Sequence, residues 1–155
     1  MAMNQFDVNA VSVALVATTA KTYVGVQAAA NIALKVLESS ASFDGATSSN
    51  APVVVDFARC TFASNPPGTA SSTSTPLKRD PGRAENIQAL GGRAWTTEPT
   101  VVTPQHSKDI GQFNGLYHYI NPFASPIVVP GGQGYVIRGN SPNNVNVTGH
   151  ITCEE

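Results

Sequence analysis

Charge is what this chain has least of. Charged residues make up 12% of its 155 positions, against about 25% in ordinary soluble proteins. Nine Lys and Arg face ten Asp and Glu, a net charge of −1. A nucleic-acid binder carries a basic excess or a basic stripe, so that class is excluded. Long hydrophobic runs are missing too. The longest near the start, Ala10 to Ala17, is broken by Ser12 and is too short to cross a bilayer. No basic residue precedes it and Asp7 stands where one belongs, so it is not a secretion signal. The two cysteines, Cys60 and Cys153, form no CxxC pair. Cys153 alternates in step with Val145, Val147 and Ile151, which predicts a buried thiol acting as a small hydrophobe.

Catalytic signatures are equally scarce. There is no His-x-His, no His-Glu-x-x-His and no Gly-x-Ser-x-Gly. Gly131-Gly132-Gln133-Gly134 is glycine-rich but opens a strand, so it reads as a tight turn and not a phosphate loop. His106 falls in a polar stretch, and His150 alternates with Asn146, Thr148 and Thr152 on a solvent face. His118 lies between Leu116 and Ile120, a core or interface histidine by pattern and not a metal ligand. Of Phe113, Tyr117 and Tyr119, two are expected in the core. The terminal Glu154-Glu155 reads as a solvated end. No enzyme, cofactor or metal is expected.

What is present is alternation at period two, broken by eleven Pro and thirteen Gly. Strands are predicted at 12–17, 22–28, 32–43, 52–62, 93–97, 100–102, 115–120, 126–129, 134–138 and 145–153. Asp44-Gly45 with Ser48, Ser49 and Asn50 supplies turn chemistry between the third and fourth, which reads as a hairpin. Residues 104–114 read as a polar loop. Residues 1–11 read as an N-terminal arm and 12–155 as one β-sandwich domain. The expected fold is all-β, an antiparallel jelly-roll-like sandwich of about eight strands.

A long inserted loop, 64–92, interrupts this pattern. No charge occurs between Arg59 and Lys78; then Lys78, Arg79, Arg83 and Arg93 follow in one short stretch. Asp80-Pro81 can start a short helix and Gly91 can end it. Lys78, Arg79, Asp80 and Arg83, with Trp95 directly after, form the expected capsid or subunit interface, since Trp and Arg are favoured anchors. If the loop is a docking arm, its deletion should spare folding.

Certain residues carry a resemblance. Ile32-Ala33-Leu34-Lys35-Val36-Leu37-Glu38, Ser42-Phe43-Asp44-Gly45, Ala51-Pro52-Val53-Val54-Val55, Thr97-Glu98-Pro99-Thr100 and Val145-Asn146-Val147-Thr148 with Glu154-Glu155 together resemble small β-sandwich cement or decoration proteins of tailed-bacteriophage heads. The resemblance spans Ile32 to Glu155 and departs in the Ser/Thr-rich loop and the basic stretch. It implies a structural protein on the outer capsid surface of a virion, made in the host cytoplasm. It also implies that the protein is a homotrimer and binds the major capsid protein, with no nucleic-acid or membrane partner. The other reading is a carbohydrate- or receptor-binding head of a phage fibre, for which Trp95 is the clear aromatic platform.

Overall fold

A computed structural model describes residues 3–45, 51–122 and 125–155. Among them there are twelve strands and no helix. The strands are β1 (Gln5–Leu15), β2 (Lys21–Gln27), β3 (Leu34–Phe43), β4 (Val53–Thr61), β5 (Ser72–Thr73), β6 (Leu77–Lys78), β7 (Leu90–Arg93), β8 (Val101–Ile110), β9 (Leu116–Ile120), β10 (Ile127–Val129), β11 (Gly134–Asn140) and β12 (Val145–Glu154). They form two antiparallel six-stranded sheets. The first runs β10-β3-β12-β1-β6, with β9 also paired to β3; the second runs β5-β7-β2-β11-β4-β8.

Alternation places the core between the sheets. Phe6, Val8 and Ala10 of β1, Leu34, Val36 and Ala41 of β3, and Val147, Ile151 and Cys153 of β12 point inward. They meet Val24 and Val26 of β2, Val53, Val55 and Phe57 of β4, and Tyr135 and Ile137 of β11 in one buried cluster. Cys153 is a buried free thiol, as its alternation predicts, and Cys60 is another. Burial pushes both thiols well above the usual cysteine range.

Residues 5–11 of the expected arm lie within β1, which pairs with β12 from Gln5↔Glu154 to Leu15↔Val145. A bulge between Ala10 and Val13, with Ser12 at φ 52°, inserts one extra residue and returns Val13 and Leu15 to the inner face. The expected hairpin of the third and fourth strands does not form. β3 belongs to the first sheet and β4 to the second. Both edges of β3 are occupied, one by β12 and the other by β9 and β10, so β4 meets it face to face through the core. The turn read at Ser48, Ser49 and Asn50 lies outside the described residues.

The polar stretch 104–114 is strand up to Ile110. β8 pairs with β4 along its length, as the outermost strand of its sheet. Most of its side chains are exposed, so no inward alternation marks it. Pro104 is tolerated there because only one edge of the strand is paired. The strand expected at 93–97 ends at Arg93. Ala94 takes φ 52°; the Ala94 and Trp95 N–H groups still donate to the Tyr23 and Thr22 carbonyls of β2, both at 3.0 Å, and the Trp95 ring packs with Ala58, Phe62 and Val136 on the outer face.

The loop 64–92 is sewn into both sheets. β5 and β7 extend the second, and β6 caps the first. The helix from Asp80 is replaced by a single turn, in which the Asp80 carboxylate accepts from the Gly82 N–H at 3.1 Å. Farther on, the N–H groups of Gln88 and Ala89 donate to the Glu155 carboxylate at 2.7 and 3.1 Å. Donors committed to that carboxylate are lost to an i→i−4 ladder, and the segment stays extended.

Candidate functional site

The outer face of the first sheet carries a polar cluster that no single segment of sequence contains. Register builds it. Asp7 of β1 stands opposite Thr152 of β12, which stands opposite Glu38 of β3. One row away, Asn9, His150, Ser40 and His118 line up across β1, β12, β3 and β9.

Arg79, just past β6, bridges this face. Its Nε donates to both Asp7 carboxylate oxygens, at 3.0 and 3.1 Å. Its Nη2 donates to Thr152 Oγ1 at 2.8 Å and lies 3.7 Å from Glu38 Oε2. Thr152 Oγ1 in turn donates to Asp7 Oδ1 at 2.8 Å, and His150 Nε2 sits 3.1 Å from the same oxygen. His118 Nε2 approaches Glu38 from the far side at 3.5 Å.

Burial acting alone would raise the Asp7 pKa. Hydrogen bonds from Arg79, Thr152 and His150, with the guanidinium charge, outweigh it and hold Asp7 below the usual carboxylate range. A depressed carboxylate stabilises the fold above its unfolded pKa of about 4, and that contribution is lost as pH falls through the folded value. Asp7→Asn is therefore expected to cost about 2 kcal/mol at pH 7, the scale of a hydrogen bond to a charged group. Urea denaturation at pH 7 and pH 3 checks this. The gap between wild type and variant should be smaller at pH 3, below the unfolded pKa, than at pH 7; an equal gap at both would show that Asp7 acts only through its shape.

The other sequence-picked residues fall in two places. Lys78 Nζ donates to the Arg83 carbonyl at 3.1 Å, Arg83 Nη1 to the Met3 carbonyl at 2.9 Å, and Arg83 Nε to Asp80 Oδ2 at 3.4 Å. With Met3, Gln5 and Glu154, the residues Arg79, Asp80 and Arg83 line an open depression of about 570 Å³. Glu154 is paired in turn with Lys35 at 3.2 Å. Trp95 is not there. It lies under the outer layer of the second sheet, 1% exposed, and cannot serve as a surface anchor.

The reason is local. Trp95 Nε1 donates to the Asn65 carbonyl at 3.1 Å, and its ring stacks on Phe62 at 5.9 Å between centroids. Gly25 and Gly92 form its seat. A Cβ at either would come within 3.0 and 2.5 Å of the indole Cη2, a separation that Cβ atoms do not reach without displacing the ring.

At the margin where β8 and β9 run along the two sheets, His106 stacks on Phe57 at 4.5 Å and meets Tyr119 at 4.4 Å. It is half-buried on a strand and not in a loop, and burial, helped by Lys108, lowers its pKa. Tyr117 packs against the main core, Tyr119 is half-buried, and Phe113 is exposed.

Sequence reasoning singled out Arg79 but missed Asp7, Glu38 and Thr152, whose meeting depends on strand order. The cluster holds the 64–92 segment to the first sheet. Arg79 spends Nε and Nη2 on Asp7 and Thr152, and no group of three or more His, Cys, Asp or Glu side chains among the described residues is disposed to hold a metal ion. No protein-family model matches the chain, and no curated protein or solved structure does either.

Proposed function

We propose that this chain is a structural virion protein, a decoration protein that binds the outer surface of a tailed-phage head and stabilises contacts between major capsid proteins. The observation that carries the reading is a rigid β scaffold with a charge-poor surface that leaves large apolar side chains standing in water on a strand. Leu116 and Ile120 of β9 are 70% and 62% exposed. The strand order β1-β12-β3-β9 across from β2-β11-β4-β8 supports a jelly-roll sandwich. The resemblance of residues 32–155 to head cement proteins points the same way. Weak contacts of this kind suffice on a symmetric shell, because every copy adds avidity. The depression bordered by Arg79, Asp80 and Arg83 is the proposed capsid contact.

The fibre-head reading loses the support it had, because Trp95 is buried and offers no stacking platform. Co-sedimentation with expanded, undecorated heads tests the proposal. Saturable binding at a fixed ratio to the major capsid protein is expected. The Asp80→Arg, Arg83→Glu double variant should bind at least about tenfold more weakly, a loss of about 1.4 kcal/mol. Absence of any binding by the wild-type protein would sink the decoration role.

A further inference from the structure

We infer that the free edge of β9 is a self-pairing edge, joined in solution to β9 of a second copy about a two-fold axis through His118. Hydrogen-bond parity leaves that edge open. The Asn121 N–H donates to the Leu37 carbonyl at 2.7 Å, and the Phe43 N–H to the Gly115 carbonyl at 3.0 Å. Both bonds follow the register that pairs Glu38 with Ile120 and Ser42 with Leu116. In an antiparallel ladder, hydrogen-bonded and non-bonded pairs alternate. Tyr117 and Tyr119 therefore turn their backbone groups toward β3. Leu116, His118 and Ile120 turn theirs outward, and among the described residues no strand pairs with that edge.

The sequence of β9 is symmetric about its centre: Leu116, Tyr117, His118, Tyr119, Ile120. A two-fold axis at His118 sets His118 against its own copy and Leu116 against Ile120 of the other chain. Every outward-facing backbone group then finds a partner, in about six main-chain hydrogen bonds, two per pair. Apolar meets apolar at both ends of the match. A two-fold contact needs this self-complementarity, in which each residue meets the counterpart of its own partner. Gly115 on one side and Asn121-Pro122 on the other stop the strand and limit slippage.

The other long free edge on this margin is defended. β8 carries Pro104, Lys108 and Asp109, and a bulge breaks its register opposite Phe57 and Ala58. These are the devices that keep edges from pairing. β9 has none of them: it has no Pro, no charged Lys, Arg, Asp or Glu, and no register break against β3. Its exposed Leu116 and Ile120 are the reverse of a protected edge.

Sedimentation equilibrium of the intact protein from about 1 µM to 1 mM, a range typical of weak self-association, reads the contact. The mass should double with rising concentration. His118→Pro removes a donor that faces away from β3, so the fold should persist, as checked by near-UV circular dichroism, while association weakens at least about tenfold. Should that variant misfold, the Leu116→Lys, Ile120→Lys pair makes the same test with side chains alone. His118→Cys fixes the register: a two-fold at this residue brings the two Cα atoms to about 5.5 Å, within disulfide reach, so mild oxidation should give a covalent dimer. A Thr103→Cys control on β8 should not cross-link. A protein that stays at unit mass to 1 mM, or an assembly indifferent to these substitutions, overturns the inference.

Discussion

Replacing Trp95 with Ala is expected to destabilise the fold by about 3–5 kcal/mol, the range for deleting a large buried aromatic. Three losses combine. The indole leaves a cavity over Gly25 and Gly92, whose missing side chains were its seat. Phe62 loses its stacking partner. The Asn65 carbonyl loses the Nε1–H that ties residues 62–70 to the sheet. Trp95→Phe should recover part of the loss, since a smaller ring still reaches Phe62 but donates no hydrogen bond. Because Trp95 is the single tryptophan, unfolding in urea should be followed by far-UV circular dichroism. A cost below about 1 kcal/mol would mean the outer layer collapses onto the gap, contrary to the packing described.

Excising residues 66–88 behind a short Gly-Ser linker is expected to abolish cooperative unfolding altogether. The excision removes β5 and β6 and leaves β7 paired on one side only, to β2. The Ser74 hydroxyl no longer caps the Asn9 carbonyl at 2.6 Å, and the Arg79 clamp on Asp7 disappears. Ala70, whose carbonyl accepts from the Thr96 N–H at 2.7 Å, no longer covers Trp95. The combined loss exceeds the 5–15 kcal/mol margin by which domains are stable. Thermal melts and binding of a hydrophobic dye would read this. A shortened protein with a sharp melt that merely failed to bind heads would restore the loop to a docking arm.

Much of the fold was legible because half-buried strands announce themselves. From 34 to 43, from 53 to 57 and from 145 to 153, buried positions recur at nearly every second residue, and the structure turns them inward as that pattern requires. The failures have physical causes. Asp7 and Asn9 sit poorly in strands by intrinsic preference, which masked the alternation of Phe6, Val8 and Ala10. β8 has water on most sides, so burial imposes no pattern on it. The path from β3 to β4 looked like a hairpin because chain proximity suggests edge pairing, whereas the edges of β3 were taken by strands distant in sequence. The same distance hid the polar cluster. Asp7 and Thr152 are 145 positions apart and share a hydrogen bond.

The position of β12 has a consequence for how the molecule comes into being. This strand lies between β1 and β3, so it contributes hydrogen bonds on both sides to the middle of its sheet. A ribosome delivers it after the other eleven described strands. Until residues 145–154 emerge, β1 has no β12 to lie against, and the inner faces of β1 and β3 stay without the strand that joins them. Pairings that close loops this long are slow, since the entropy is lost before contacts repay it. The nascent chain therefore waits with its apolar faces uncovered, where chaperones have their best access. Completion of the first sheet becomes a late event, set off by the arrival of β12.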